Sequence, residues 1–233
     1  GNSDYLVYFK NQLKELLTNY GEIFEVWFDG ANGGDGYYGG ANEVRRVDKE
    51  NYYDWGNTHK IIRELQPNAV IFSDAGPDIR WVGNEKGYAK ETNWSNIFRD
   101  SVYAGMPDFN RFSSGQEFGT HWIPTETDVS IRPGWYYHKE QDSMVKSLNK
   151  LIDIYFNSVG LNSSLLLNIP VDRRGLIHEN DSLKLNQLGK FIKNTFSHNL
   201  ALKGEIKTSS NNFKKIKNII NDDDHNTYWY PKK

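Results

Sequence analysis

Three stretches of this sequence set acidic side chains beside aromatic ones. The first is EVWFDG, where Asp29 is the first polar residue after the apolar run 22–28. The second is DAGPDIRWVGNEKG, which holds Asp74, Asp78, Arg80, Trp81, Asn84 and Glu85. The third is WIPTETDVSIRPGWYYH, with Trp122, Glu126, Asp128, Arg132, Trp135 and His138. Two carboxylates across a cleft are what glycoside hydrolysis needs. One stays ionised as nucleophile, and the other is kept neutral by a partly apolar pocket so that it can protonate the leaving oxygen. Trp81 and Val82 beside Glu85 are suited to be that apolar wall. Indole rings next to carboxylates suit a sugar, which stacks on the ring and hydrogen-bonds through its hydroxyls. Ordinary readings stand beside these: Asp29 as a turn or cap residue, the acidic loop residues as solvated surface, and the tryptophans as core.

Other chemistries find less support. The sequence contains no cysteine, which excludes thiolate nucleophiles, disulfides and thiolate zinc sites. The six histidines show no HxH or HExxH spacing, so no metal site is indicated. The Gly-rich stretch 30–40 contains Asp35 and is not followed by Lys-Ser/Thr, so it reads as a flexible rim of the cleft rather than a phosphate cradle.

The elements that must carry these residues alternate. Residues 4–20 read as an amphipathic helix through Tyr5, Phe9, Leu13, Leu16 and Tyr20, with Gly21 placed to end it. An apolar strand is expected at 22–28, a helix at 50–65 that Pro67 forbids to continue, and a strand at 69–73. The stretch 88–128 is aromatic and without period. A third strand is expected within 129–137, a helix over 143–159, a fourth strand over 164–169 and a last helix over 181–197. This order implies parallel strands joined by crossover helices, in a (β/α)₈ barrel or an open doubly wound sheet. No GxGxxG follows the first strand, which weakens a dinucleotide fold. In either architecture the polar loops lie at the carboxyl ends of the strands, where such folds place their active sites. The strands at 22–28 and 69–73 are consecutive, so Asp29 and the Glu85 loop are expected to face each other across neighbouring strands. A full barrel needs ~250 residues, and only four or five strands are legible here. The first strands are therefore expected to lie outside this chain.

Composition agrees with a globular domain. The chain has 233 residues, 37% of them hydrophobic and 25% charged, which is unlike a disordered chain. The net charge is −2, far from the basic balance of a nucleic-acid binder, and no apolar run is long enough for a membrane span. Aromatics make up 14%, a slight lean toward carbohydrate. After Leu200 the character changes to a stretch rich in Asn, Lys and Ser, where a second domain is expected to start.

Five segments in order, EVWFDGANG, LQPNAVIFSDAGPDIRWVGNE, ETNWS, DVSIRPGWYYH and LLLNIPVDRRGLI, resemble the α-L-fucosidases of glycoside hydrolase family 29. The forms WVGNE and SIRPGWYYH resemble the subgroup that removes α-1,3/1,4-linked fucose. The resemblance implies an α/β fold, a partial (β/α)₈ TIM-like barrel over residues 1–198, followed by a β-sandwich. It implies a retaining, exo-acting hydrolase with Asp29 as nucleophile and Glu85 as acid/base, Glu91 being the next candidate acid. Trp27, Trp81, Trp122, Glu126, Asp128, Arg132 and Trp135 would bind the substrate, a fucosylated oligosaccharide or glycoconjugate. No cofactor is implied, and the oligomeric state is left open. Residues 199–233, through ALKGEIKTSS and DDDHNTYW, resemble the start of a discoidin-like (F5/8 type C) module. The expected location is periplasmic or extracellular. A non-catalytic sugar-binding protein is the alternative from another class.

Overall fold

The structure is a computed structural model, and it describes residues 2–29, 36–37, 42–46, 48, 51–73, 76–103, 109–209, 222, 224 and 226–231. The expectations for Asp35, for most of the Gly-rich stretch and for Asp74 fall outside the described residues. The chain divides into two compact units, Gly1–Lys184 and Leu185–Lys233. The first holds every element that positions the candidate site.

Helix α1 (Asn2–Asn19) buries Leu13 and Leu17, one turn apart, on a single face. Gly21, at φ 85°, supplies the left-handed turn that follows it. The Gln66 amide donates to the carbonyls of Leu17 and Gly21 (2.7 and 2.9 Å) and its Oε1 accepts from Ile23 N (3.2 Å). One side chain thus satisfies the helix end and fixes the entry into strand β1 (Glu25–Trp27). Helix α2 (Trp55–Leu65) stops at Gln66, ahead of Pro67, and leads to β2 (Val70–Ser73). Leu13, Leu17, Phe28, Ile62, Ala69 and Ile71 form the core between these helices and the first two strands.

Strand β3 (Ile79–Trp81) follows after a short turn, and then comes a long excursion holding the antiparallel pair β4 (Asn96–Ile97) and β5 (His121–Trp122). Strand β6 (Thr125–Ser130), α3 (Leu148–Ser158), β7 (Ser163–Asn168) and α4 (Glu179–Phe196) complete the order. The main sheet is β1-β2-β3-β6-β7, parallel throughout, and curls as a half-barrel.

Side chains on these strands alternate between two faces. Val26, Phe28 and Ile71 face the helices. Trp27 stacks on Phe72 on the other face, with centroids 4.5 Å apart and 6° between planes. Following the register, that inner face also carries Glu25, Val70, Ile79, Trp81, Glu126, Asp128, Ser130, Ser164, Leu166 and Asn168. It is unusually polar, and its acidic residues come from β1 and β6.

Two expectations need correction. The third legible strand lies at Thr125–Ser130, not within 129–137. All six of its residues are buried, but inward Glu126 and Asp128 alternate with outward Thr125 and Thr127, so it lacks an apolar run. The chain then bends, because the Ser130 hydroxyl donates to Gly134 O (2.7 Å). Second, Ile79–Trp81 is a strand and not part of a loop. Arg80 hides it: the side chain is 0% exposed, yet donates to the carbonyls of Ile123, Phe112, Ser113 and Trp94 at 2.9–3.4 Å. Asp29 and Glu85 therefore sit beyond β1 and β3, with β2 between, and not on neighbouring strands.

The chain leaving β3 turns back at Gly87, φ 75°, where an added Cβ would stand 2.9 Å from methyls of both Ile154 and Val129. Gly87→Ala is expected to destabilise the protein by ~1–3 kcal/mol, from strain and overpacking together. A thermal unfolding midpoint unchanged from wild type would contradict this packing of the Glu85 turn on α3.

Candidate active site

Asp29 lies two residues past β1. Phe28 N donates to Phe72 O (3.1 Å), so pairing runs one residue beyond the strand and delivers Asp29, exposed, at the carboxyl end of the sheet. Glu85 reaches the same end from β3. Gly83, at φ 93°, turns the chain, and Asn84 clamps the turn by donating to Tyr88 O (3.0 Å) and accepting from Lys86 N (3.0 Å).

Three indole–carboxylate pairs build the rest. Trp27 Nε1 donates to Glu126 Oε1 (3.2 Å), Trp81 Nε1 to Asp128 Oδ1 (2.7 Å) and Trp135 Nε1 to Glu85 Oε2 (3.3 Å). Each bond fixes the plane of a large aromatic ring and orients a carboxylate in one contact. Ser164 adds a second donor to Glu126 at 3.1 Å. Among the described residues no cluster of His, Asp and Glu is arranged to hold a metal ion.

The electrostatics tie these groups together. Burial pushes Glu126 above the usual carboxylate range, against the hydrogen bonds of Ser164 and Trp27, and the charge of Asp128 adds to the rise. Burial likewise raises Asp128, against the Trp81 bond, with further upward pushes from Glu85 and from Asp29. Asp128 thus feels the charge of both expected reactive carboxylates.

A family model described as alpha-L-fucosidase matches residues 1–195 of this chain. The chain belongs to the α-L-fucosidase family. It is 42% identical over 207 residues to "Alpha-L-fucosidase 1" of Arabidopsis thaliana, a match that covers 89% of this chain and 38% of the relative. A crystal structure of a glycoside hydrolase 29 family member from an unknown rumen bacterium is 53% identical with a TM-score of 0.80, covering 89% of this chain and 37% of that one. A Ruminococcus gnavus GH29 fucosidase in complex with fucose is 32% identical with a TM-score of 0.67, covering 84% of this chain and 39% of that one. The chain spans well under half the length of these relatives.

Within this α-L-fucosidase fold, Asp29, Glu85, Trp27, Trp81, Glu126, Asp128 and Trp135 come together, whereas two expected site residues do not join them. Trp122, 72% exposed, lines a cleft of about 470 Å³ with Arg63, Val70, Asp78, Ile79 and Pro124. Val70 and Ile79 open their strands and Pro124 precedes β6, so this cleft lies at the amino ends, opposite Asp29. Arg132 is 0% exposed and bonds Asp181 through Nε (3.0 Å to both oxygens) and Nη2 (2.5 Å), Asp142 at 2.9 Å and His138 O at 3.3 Å. Its guanidinium also lies 5.0 Å from the centroid of the Tyr137 ring. Arg132 thus holds the loop carrying Trp135 from beneath and has no face open to a ligand.

Glu91, the alternative acid, is also misplaced. Ala89 N donates to Asn157 O (2.8 Å), and the Asn93 amide reaches Leu161 O, Asn162 O and Thr125 Oγ1, each at 2.9 Å. Those anchors put Glu91 at the end of the sheet away from Asp29. Sequence reasoning missed Ser164 and Asn168. Asn168 donates to Trp135 O (2.9 Å) and to Ser130 Oγ (3.1 Å), pinning the Trp135 loop from β7. Their period-two spacing within SLLLN was the available signal.

Asp181→Ala strips a buried guanidinium of its main partner and is expected to destabilise the protein by ~3–5 kcal/mol. A shift in chemical denaturation midpoint equivalent to less than about 1 kcal/mol would show the pair to be dispensable.

Proposed function

We propose that this chain carries the reactive pair of a retaining, exo-acting α-L-fucosidase, with Asp29 as nucleophile and Glu85 as acid/base. The Asp29 carboxylate attacks the anomeric carbon as the glycosidic C–O bond breaks, and the proton of Glu85 passes to the leaving oxygen. The sugar is then held as an ester on Asp29. Glu85 takes a proton from water, whose oxygen attacks the same carbon and releases fucose and the Asp29 carboxylate. The observation that carries this reading is the placement of both carboxylates at the carboxyl end of one parallel sheet, Asp29 after β1 and Glu85 after β3. The indole of Trp135 supports it by orienting Glu85. The fucose complex of the Ruminococcus gnavus relative supports the choice of sugar.

Within the same proposal, WVGNE and SIRPGWYYH favour α-1,3/1,4-linked fucose on oligosaccharides or glycoconjugates. Residues 1–198 are read as part of the catalytic barrel and 199–233 as the opening of a discoidin-like, β-sandwich module. A periplasmic or extracellular location follows from a glycan substrate. None of the described helices is long and apolar enough to cross a membrane.

The test is hydrolysis of 4-nitrophenyl α-L-fucoside by the full protein. Asp29→Ala is expected to lower turnover by ~10⁴-fold or more, with fucose binding retained. Glu85→Gln is expected to lose ~10²–10⁴-fold on a fucosylated oligosaccharide and less on the aryl fucoside, whose phenolate leaves without a proton. Turnover within tenfold of wild type in the Asp29 variant would refute the nucleophile assignment.

A further inference from the structure

Asn168 ends β7 as the register partner of Ser130 on β6, and its carbonyl accepts from Ile131 N (2.9 Å). Its side-chain amide donates twice to the loop that follows β6, once to Ser130 Oγ (3.1 Å) and once to Trp135 O (2.9 Å). The Ser130 hydroxyl in turn donates to Gly134 O (2.7 Å) and accepts from Arg132 N (3.3 Å). Lys146, two residues before α3, donates from its backbone to Ile131 O (2.9 Å) and through Nζ to Ser130 O (2.6 Å) and Arg132 O (3.2 Å). The carbonyls of Ser130, Ile131, Arg132, Gly134 and Trp135 are thus each held by a donor. A loop satisfied in this way is rigid. What it delivers is an indole. Trp135 Nε1 donates to Glu85 Oε2 (3.3 Å), and among the described residues no other hydrogen bond holds that carboxylate. Asn84 clamps the turn beneath Glu85, which fixes its backbone and not its carboxyl. The Glu85 side chain is exposed, so packing does not select its rotamer.

We propose that Asn168 is a positioning residue for the acid/base step: by holding Trp135 O it sets the indole whose N–H aims the Glu85 carboxyl at the leaving oxygen. This rests on the fucosidase reading, in which Glu85 protonates that oxygen. Asn168 acts through Trp135 and transfers no proton itself. Loss of its amide leaves Glu85 present but free among its rotamers, so the cost falls on the step that needs its proton. Departure of a sugar alkoxide needs that proton, and departure of 4-nitrophenolate does not, because the phenolate is stable as it leaves. A residue that only kept the sheet folded, or only shaped the fucose pocket, would cost both substrates alike. Misplacement of a reacting group by ~1 Å is enough to cost up to ~10²-fold.

The test uses the full protein and compares kcat/KM on a fucosylated oligosaccharide with kcat/KM on 4-nitrophenyl α-L-fucoside. Asn168→Ala is expected to lose ~10–10²-fold on the oligosaccharide and less than about threefold on the aryl fucoside. Trp135→Phe, which keeps a ring and removes the N–H, is expected to show the same bias, and the double variant to be no worse than Trp135→Phe alone. Equal losses on both substrates, no loss on either, or losses that multiply in the double variant overturn the proposal. Where Asn168→Ala unfolds, Ser130→Ala, which removes one hydroxyl from the same set of bonds, decides by the same bias. A second measurement needs no substrate: the emission of Trp135, isolated by subtracting the matched Trp135→Phe variant. It is expected to shift in Glu85→Ala and in the same sense in Asn168→Ala, and an Asn168→Ala emission equal to wild type overturns the proposal. If wild type cleaves no fucoside, or Glu85→Gln shows no bias between the substrates, the functional reading fails. The emission then still decides whether Asn168 sets the contact of Trp135 with Glu85.

Discussion

The placement of the site depends on a buried guanidinium. Arg80 sits in the middle of a three-residue strand, fully enclosed, and satisfies its donors on the carbonyls of Trp94, Phe112, Ser113 and Ile123. Burial lowers it only to about 10, so it remains charged at neutral pH. A buried cation is tolerated where carbonyl dipoles replace its hydration, and that requirement gathers Trp94, Phe112, Ser113 and Ile123 around β3. β3 in turn spaces β2 from β6, aims Trp81 at Asp128 and launches the turn that carries Glu85. Removing the charge network would leave a strand too short to hold its place by pairing alone.

How much of this was legible follows from the physics of each element. Helices α1, α2, α3 and α4 and strands β1, β2 and β7 announce themselves by apolar period or apolar run, because their burial is against hydrocarbon. β6 and β3 do not, because they are buried among polar groups: Glu126 and Asp128 receive indole N–H groups, and Arg80 binds carbonyls. Hydropathy registers burial in oil and is blind to burial in hydrogen bonds. The same blindness explains Arg132. As an Arg in an aromatic, acidic loop it reads as a ligand contact, but its partners Asp142 and Asp181 lie 10 and 49 residues away, and only the fold reveals them. Trp122 failed for a simpler reason. It precedes β6 by three residues, and strand direction, which the sequence order implies but the misplaced strand concealed, sends it to the opposite end.

In the proposed sugar site the tryptophans illustrate a more general constraint. An indole that is to stack on a sugar must hold its plane, and its N–H must not be left without an acceptor in a sheltered cleft. Trp27, Trp81 and Trp135 meet both demands with carboxylates already required there. At Glu126 and Asp128 the indole donor draws the pKa down against the rise from burial.

The strand between Asp29 and Glu85 bears on the stereochemical outcome. Neighbouring strands lie ~4.8 Å apart, so backbones two strands apart are separated by roughly twice that. Side chains on the concave side of a curled sheet converge as they leave it. In the proposed retaining reaction the two carboxyls would have to close from such a separation to the ~5–5.5 Å gap of retaining glycosidases. Had the two carboxylates stood on adjacent strands, they would have faced each other directly, with no floor between them. As it is, Phe72 on the intervening strand stacks on Trp27, and in the proposed site that stacked pair would give a sugar ring an apolar base between the two carboxylates.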